Sequence, residues 1–546
     1  MGRLKKSGFI EGAFIATICI IITKILGILY VIPFYDIIGE KGGTLYSYAY
    51  NIYNIFLIIS SAGIPLAISK LTSEYTTLKQ DEKKNRMYQI STKAISIFSL
   101  FSFLVCFIFA GVFAKLIIGD LNGGNSIADV TLVIRSISFA LLIIPMLSIK
   151  RGYLQGHRYI KEPSISQIIE QVVRIAIIII GSYLCVRVFK LQVKYAIVVS
   201  TLAAAAGGLV TYLYLDIVAK KNKKQIGLDT KVESNKEQDK EIIKKLIGYC
   251  IPFVVINLLN NSTGFVDMVL IIKTLPKLGF DAASTEFIGS VFTTWSVKIS
   301  SIITSIANGL IISLIPNVVK DYNEKNTESM NITYNKCLKI ILLIIAPLAI
   351  FMSEMSTSMW NVFYTPNEYA SLIIKYNIIV IIFDCLYIIV NSLLQSINAE
   401  KVIYRSVITG QLINICGDVP LMILFYKLGL PAYYGAITAT LLCYLVSNML
   451  SMHYLNKEMH LDYKDTIKTI PRFILSSIVL VVMIKLFKTF LPVDSPRKIT
   501  QLINLVITGL ACGGTYLIIN FKSIIYILPE KFAKKFMPST NIELEK

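Results

Sequence analysis

Histidine is scarce in this sequence, and its cysteines do not come in pairs. There are three histidines and nine cysteines, and no two cysteines form a CxxC motif. Structural zinc sites and disulfide frameworks need such residues at close, regular spacing. The sequence therefore indicates no metal site and no disulfide framework, and we expect the cysteines to be small residues packed among apolar ones.

Charged residues are also few. They make up 16% of the 546 residues, whereas a soluble protein carries about 25%. There is no GxxxxGK[ST] loop and no soluble segment large enough for a nucleotidase, which excludes direct use of ATP. Apolar runs of 18 or more residues recur instead, and each is long enough to cross about 30 Å of hydrocarbon as a helix. The sequence predicts an all-α polytopic membrane protein without cofactors.

Hydropathy, together with charged or turn-rich breaks, predicts fourteen transmembrane helices. The first apolar run is too long for a cleaved signal peptide and has no small-residue cleavage site. The predicted spans are residues 9–34, 45–69, 90–114, 130–149, 165–186, 195–218, 247–272, 287–316, 333–353, 369–393, 402–426, 431–455, 470–490 and 500–521.

The distribution of basic residues predicts the direction of these spans. Of the 54 Lys and Arg residues, 32 lie on the side of the N-terminus, 10 on the opposite side and the other 12 within spans. The positive-inside rule then places both termini in the cytoplasm of a bacterial cell. The net charge of +20 is therefore a topology signal that attracts anionic membrane lipid, and it does not indicate nucleic-acid binding.

An internal repeat predicts two halves. The segment "YLQGHRYIKEPSISQIIEQVVRI" at 153–175 aligns without gaps with "LLQSINAEKVIYRSVITGQLINI" at 393–415, and seven of the 22 positions from 154 to 175 are identical. Six spans separate the two segments, so both keep the same sidedness. We therefore expect two pseudosymmetric six-helix bundles plus two C-terminal helices, with a cleft between the bundles. The predicted divisions are a first bundle at 1–218, a solvated cytoplasmic linker at 219–246, a second bundle at 247–456, and the last two helices with the tail at 457–546.

The opening residues carry a family pattern. The stretch "SGFIEGAFIATICIIITKILGILYVIPFYDIIGEKGGTLYSYAYNIYNIFLIISSAGIPLAISKLTSEY", with the 153–175 segment, resembles the polysaccharide-flippase group of the MOP exporter superfamily. Within that group the sequence is most similar to the stage V sporulation protein B branch, a relative of the MurJ-type lipid II flippases. The resemblance implies bundles around a cavity and a groove for lipid along the two extra helices. It also implies transport of an undecaprenyl-diphosphate-linked saccharide, with cell-wall synthesis enzymes as partners.

The resemblance assigns basic residues to the site. MurJ-type flippases carry a basic residue within Thr/Ser-basic-x-Leu-Gly in the first helix, and "TKILG" places Lys24 there. Their second basic residue, six positions on, is replaced here by Tyr30, and the arginine of their second helix has no counterpart. Their basic residue in the eighth helix corresponds to Lys298, one position out of register.

Charges inside predicted spans are costly, so each is a candidate for function. We expect Lys24 and Lys298, one in each half, to face each other across the cleft and hold a diphosphate. Each lysine has the alternative of an internal acid partner or a position at the membrane interface. Glu170 and Arg174 lie four residues apart and share a helix face, so they either neutralise each other or line the cavity.

Four aspartates are candidates for gating or ion binding. Asp36 and Asp267 occupy corresponding places near the outer ends of spans one and seven, where interfacial capping is the simpler function. Asp384 and Asp418 lie deep in spans ten and eleven, where they either relay protons or serve a structural hydrogen bond.

Three functions compete for this architecture. An alternating-access flippase driven by the membrane potential or an ion gradient fits the basic residues. An ion-coupled multidrug antiporter of the same superfamily fits the deep carboxylates. A membrane enzyme, such as a glycan polymerase or ligase, needs a large outer catalytic loop, and the predicted outer loops are short. We expect the protein not to be an enzyme.

Overall fold

Helices form all the regular structure of the described residues. The structure is a computed structural model that describes residue 4 and residues 9–119, 124–229, 236–491 and 497–527. Parts of the predicted linker and of the C-terminal tail therefore lie outside the described residues.

Nine helices precede the predicted linker, and a short π-helical turn over Leu184–Val188 follows the eighth. They are α1 Phe9–Leu29, α2 Val31–Ser61, α3 Ile64–Thr77, α4 Asp81–Ile108, α5 Ala110–Ile118, α6 Ile127–Ser138, α7 Ala140–Gly156, α8 Lys161–Tyr183 and α9 Val193–Lys221.

The remaining helices follow in the same manner. They are α10 Lys236–Thr274, α11 Ala282–Ser290, α12 Ser296–Asn323, α13 Thr327–Ile340, α14 Ala346–Glu354, α15 Ser356–Phe363, α16 Glu368–Ser396, α17 Glu400–Lys427, α18 Tyr433–Met459, α19 Lys464–Ile467, α20 Ile470–Phe490, α21 Lys498–Ile519 and α22 Phe521–Ile527. A 3₁₀ turn at Leu275–Leu278 follows α10, and π-helical turns occupy Val291–Trp295 and Ile341–Ile345.

Twelve helical segments of the described chain are long and apolar enough to cross a membrane, and they coincide with twelve of the fourteen predicted spans. The other two predictions are not confirmed. The first falls on α1, where the apolar described run is only Ile15–Leu29. The eighth covers 287–316, where a π-helical turn interrupts the helix and several side chains are not described. The protein is thus an all-α multi-pass membrane protein.

The break between α1 and α2 has a local cause. Pro33 has no N–H to donate to the Leu29 carbonyl, and its ring crowds that carbonyl. The regular helix therefore ends at Leu29, and Tyr30 lies at a bend before the chain resumes as α2. A second bend within α2 is at Gly39, whose φ of 64° is accessible to glycine at little cost.

The helices form two compact units. The first contains residues 1–299, 363–365 and 411–439, and the second contains 300–362, 366–410 and 440–546. These bounds do not follow the division at 219–246, so the arrangement as two six-helix bundles stays a prediction.

The predicted linker is not solvated along its whole described length. Ile226 is fully buried, and Ile242 and Leu246 are nearly so, in an apolar cluster that also contains Leu71 of α3. The Tyr153 hydroxyl donates to the Ile226 carbonyl oxygen at 2.9 Å. The expectation of a solvated linker is therefore wrong for these residues, because their apolar side chains pack under the ends of neighbouring helices.

Helices α3 and α7 pack closely because α7 presents two glycines one turn apart. A Cβ added at Gly152 would lie 2.6 Å from the Pro65 carbonyl oxygen, and one at Gly156 would lie 2.6 Å from the Ser69 carbonyl oxygen. Such small residues at i and i+4 let two helix backbones approach each other.

Replacing Gly152 by alanine should therefore destabilise the protein. The added methyl group meets backbone atoms, which cannot rotate away, and overpacking of this kind costs about 1–3 kcal/mol. Thermal unfolding in detergent measures the effect as a lower melting temperature. Gly111→Ala is the matched control, because its Cβ would have no neighbour closer than 3.8 Å. Equal melting temperatures for the two variants would contradict the packing argument.

Candidate functional site

The Lys298 ammonium lies among aromatic rings. Its Nζ donates a hydrogen bond to the Tyr30 hydroxyl at 2.9 Å. The same nitrogen lies 4.6 Å from the ring centroid of Trp295, 5.1 Å from those of Tyr30 and Tyr46, and 6.0 Å from that of Tyr50. All four distances are within the range at which a ring face attracts a cation. Lys298 itself is half-buried.

Local structure places these rings around the lysine. Tyr30 lies at the bend between α1 and α2, and Tyr46 and Tyr50 lie one turn apart on α2. Trp295 ends the π-helical turn Val291–Trp295, three residues before Lys298. A Cβ at Gly43 would lie 2.8 Å from the Tyr35 ring and 3.3 Å from the Trp295 indole nitrogen, so Gly43 allows the tryptophan to pack against α2.

Arg174 supplies a second positive charge to this region. The guanidinium is half-buried and interacts electrostatically with Lys298 and with four tyrosines of the site: Tyr30, Tyr46, Tyr50 and Tyr53. Its buried Nε has no hydrogen-bond partner among the described residues. A buried donor without a partner is costly, so this group is well suited to an anionic ligand.

Glu170 does not neutralise Arg174, although the two share a face of α8. Its carboxylate accepts a hydrogen bond from Arg151 Nη2 at 2.7 Å, and the Arg151 Nε donates to the Ser166 hydroxyl at 2.9 Å. Pairing of Glu170 with Arg174 was one of two alternatives, and the structure pairs the acid with α7 instead.

Lys24 lies on an exposed part of α1, and no hydrogen bond or ion pair to it is seen among the described residues. Helix α1 packs against α8, where a Cβ at Gly27 would lie 3.2 Å from Gln171. Lys24 is therefore on the helix next to that of Arg174. No contact places Lys24 beside Lys298, so their facing each other stays a prediction.

Two of the four aspartates come together. Asp267 on α10 and Asp418 on α17 are buried, and their carboxyl groups interact with each other. The Asn414 amide donates to Asp418 at 3.5 Å. Two interacting carboxyl groups repel each other when both are ionised, and a shared proton or a cation relieves that repulsion.

The other two aspartates are separate from this pair. Asp36 is exposed on α2, whereas Asp267 is buried, so these two residues do not occupy equivalent surroundings as their sequence positions suggested. Asp384 lies in the second compact unit, where it forms a hydrogen bond with Tyr444.

Before Lys298 in the chain, a polar seam joins α2 to α11 and to the π-helical turn Val291–Trp295. The Ser47 and Thr294 hydroxyl oxygens are 2.6 Å apart, and the Asn51 amide donates to the Thr294 hydroxyl at 3.1 Å. One turn farther along, the Thr44 hydroxyl donates to that of Ser290 at 3.4 Å.

The helix on the far side of this seam begins with a capping residue. Asp281 accepts a hydrogen bond from the Ser284 backbone N–H at 2.9 Å, and the hydrogen bonds from Ser284 hold the pKa of the Asp281 carboxyl below its usual range. Capping of this kind fixes the start of α11.

Comparison with known proteins identifies the family. A family model described as polysaccharide biosynthesis protein matches residues 9–316, more than half of the chain. The chain belongs to this family. A second model, MatE, matches residues 252–419, and both models fall in the MOP exporter superfamily, whose polysaccharide flippase group includes this chain.

Individual relatives agree with this membership. The chain is 29% identical to the lipid II flippase MurJ of Bacillus subtilis (strain 168), over 86% of the chain and 87% of that protein. It is 24% identical to stage V sporulation protein B of the same organism, over 62% of the chain and 64% of the relative. A solved structure of a lipid II flippase MurJ in an inward closed conformation shares the fold, with a TM-score of 0.67 and 15% identity over 94% of this chain and all of that one. The protein is thus a transporter of the flippase kind in the cytoplasmic membrane.

The amino-acid sequence did not lead us to predict the aromatic residues around Lys298. The stretch "YSYAYNIY" at 46–53 places four tyrosines in eight residues of one membrane helix. Phenols are rare at such density in lipid-facing helices, where aromatic residues concentrate at the interfaces. That density was the available signal for a polar site.

Proposed function

We propose that the protein is an alternating-access flippase that moves an undecaprenyl-diphosphate-linked saccharide across the cytoplasmic membrane. The carrying observation is the pair of basic side chains, Lys298 and Arg174, which interact electrostatically within one tyrosine-lined site. Two like charges near each other are unfavourable without an anion, and a diphosphate supplies one. The relationship to a lipid II flippase supports the same substrate class.

The two cations suit different tasks at the diphosphate. Arginine offers a planar fork that can bind two phosphate oxygens, whereas lysine is a compact point charge with three donors. Tyr50 is half-buried beside them and offers a phenol. We assign Lys24, on the neighbouring α1, the function of a further basic contact for the anion. Glu170 is assigned to the polar lining of the site, where its ion pair with Arg151 holds it.

The membrane potential is the proposed driving force. The cytoplasm is negative, so an anion moving outward moves downhill, at about 2.3 kcal/mol per charge per 100 mV. A diphosphate near −2 therefore gains about 4–5 kcal/mol per 100 mV. The charge distribution predicts that both termini lie in the cytoplasm, and the proposed direction of transport rests on that prediction.

A returning ion is proposed to reset the empty carrier. The Asp267–Asp418 pair is the best candidate for its site, because a proton or a monovalent cation relieves repulsion between the two carboxylates. Asp36, exposed on α2, and Asp384, beside Tyr444, are assigned secondary gating or ion-binding functions.

Reconstituted vesicles test this function. Purified protein is placed in liposomes with a polyprenyl-diphosphate saccharide, and exposure of the sugar in the opposite leaflet is measured with a membrane-impermeant enzyme. We expect exposure to accelerate when a potassium gradient with valinomycin makes the receiving side positive, and to slow when the potential is collapsed. Equal rates with and without protein would refute the proposal, and rates independent of potential would refute the driving force.

A second candidate is an ion-coupled multidrug antiporter. The deep carboxylates and the MatE match over residues 252–419 favour it. In the same vesicles this candidate predicts proton- or sodium-driven movement of cationic dyes and no effect on the saccharide. Lys298 and Arg174 argue against it, since fixed positive charges repel cationic drugs.

A further inference from the structure

We propose that the rings of Tyr30, Tyr46 and Trp295 form a box that positions the Lys298 ammonium and accepts only a lysine at this place. The inference rests on the proposed function, in which Lys298 contacts the diphosphate. It concerns positioning residues and specificity within that site, and it assigns a function to Tyr30, which stands where related flippases carry a basic residue.

The geometry of the box is that of an ammonium site. Three ring centroids lie 4.6–5.1 Å from Lys298 Nζ, so the nitrogen lies against three rings at once. The Trp295 and Tyr46 rings attract the cation through the negative faces of their quadrupoles. Tyr30 contributes mainly through its hydroxyl oxygen, which is closer to the nitrogen than its ring is. The Tyr30 hydroxyl oxygen adds one hydrogen bond at 2.9 Å and fixes one of the three N–H groups. The ammonium is therefore held in both position and orientation.

The walls of the box cannot easily move. Trp295 and Tyr46 are fully buried. Trp295 makes an edge contact with Tyr35, with centroids 5.1 Å apart, and Tyr46 makes one with Phe34, with centroids 5.5 Å apart. A buried ring held by another ring keeps its rotamer, because interiors are close-packed.

The absence of a side chain at Gly43 lets the α2 backbone pack directly behind Trp295. A Cβ there would already lie 3.3 Å from the Trp295 indole nitrogen, so the indole lies directly against the α2 backbone and cannot retreat in that direction. The width of the box is therefore set by backbone as well as by side chains.

These dimensions suit an ammonium and not a guanidinium. The ammonium is compact and can turn its donors freely, whereas the guanidinium is a larger planar group with donors in a fixed fork. Arginine at position 298 keeps the charge, but its plane would collide with ring edges or leave the box. We therefore expect the nature of the cation at this position to matter as much as its charge.

Transport kinetics in vesicles test the box. Lys298→Ala sets the baseline for loss of the cation. Tyr30→Phe keeps the ring and loses the hydrogen bond to a charged group, and should raise the apparent KM about tenfold. Tyr30→Leu loses ring and hydroxyl, and should raise it about 100-fold. Lys298→Arg should transport as poorly as Lys298→Ala. Tyr426→Leu, at an exposed tyrosine of α17, controls for the loss of a phenol and should match the wild type.

A second-site variant separates positioning from folding. In the Lys298→Arg background, Tyr30→Ser opens one wall of the box and should restore at least a tenth of wild-type transport. A residue needed only for folding would not be rescued by removing a second buried side chain. Melting temperatures of all variants are measured alongside.

The outcomes distinguish this inference from the proposed function. Wild-type transport by Lys298→Ala would overturn the assignment of the lysine to the substrate site, and with it the box. Loss in Lys298→Ala together with full transport by Lys298→Arg, or an unchanged KM in Tyr30→Leu, would overturn the box alone. Failure of Tyr30→Ser to rescue Lys298→Arg would also count against it.

Discussion

Arg174→Gln is expected to abolish translocation of the lipid-linked diphosphate while leaving the protein folded and inserted. The arginine is half-buried on α8, its Nε has no hydrogen-bond partner among the described residues, and Glu170 is engaged by Arg151. Among the described residues no acid is therefore paired with Arg174, so the substitution should leave no carboxylate without its partner there. The substitution should therefore weaken binding of the diphosphate and leave the stability of the fold unchanged.

The expected size follows from the energetics of buried charge pairs. Removing one partner of a desolvated, hydrogen-bonded pair costs about 2–5 kcal/mol, which is about 30- to 4,000-fold in binding. Arg174→Lys should retain part of the transport, because it keeps the charge and loses the fork. Flippase rates and substrate affinity in vesicles, measured together, are the readout.

Arg135→Gln is the matched control for this experiment. Arg135 is also an arginine of a membrane helix, but it is exposed, lies 5.4 Å from the Phe107 ring centroid and donates to the Phe107 carbonyl oxygen. Transport should stay near the wild-type rate in this variant. If Arg135→Gln and Arg174→Gln reduce transport equally, the effect is a general one of arginine loss and the assignment of Arg174 fails.

The span prediction succeeded where composition over about twenty residues decides the structure. It stays unconfirmed at the first and eighth spans, where some side chains are not described and where the helices contain local breaks. The bend at Tyr30 and the π-helical turn Val291–Trp295 interrupt apolar runs without changing their hydropathy. Both breaks carry residues of the aromatic box, so the features that average hydropathy hides are those that shape the site.

The sequence predicted which charged residues belong to the candidate site, but it did not predict which of them contact each other. The spacing of Glu170 and Arg174 on one helix suggested an ion pair, yet Arg151 from another helix forms the closer contact. Asp267 and Asp418 were both identified, but they are far apart in sequence and their pairing depends on how α10 and α17 pack. Helical spacing predicts neighbours on one helix, and contacts between helices need the fold.

A disulfide between cysteines at positions 47 and 294 is expected to stop transport. The Ser47 and Thr294 hydroxyl oxygens are 2.6 Å apart, so thiols in their place lie within reach of a bond with modest adjustment. The positive-inside rule predicts that the α2–α11 end of this seam faces outward. Under the proposed mechanism, α2 must separate here from α11 and from the π-helical turn before Lys298, so that the saccharide is released outside. A seam of hydroxyl and amide bonds suits such a gate, because water can replace each bond as it opens.

The experiment uses a variant without native cysteines, into which Ser47→Cys and Thr294→Cys are introduced singly and together. Oxidation should abolish transport in the double variant alone, and a reductant should restore it. Ser136→Cys with Thr201→Cys is the matched control, since those hydroxyl oxygens are also 2.6 Å apart and both residues lie in the predicted first bundle, residues 1–218. That crosslink should leave transport unchanged, because α6 and α9 fall in one predicted bundle and the proposed mechanism does not require them to separate. Full transport by the oxidised 47–294 pair would show that this seam stays closed throughout the cycle, and the outward opening would then have to occur elsewhere.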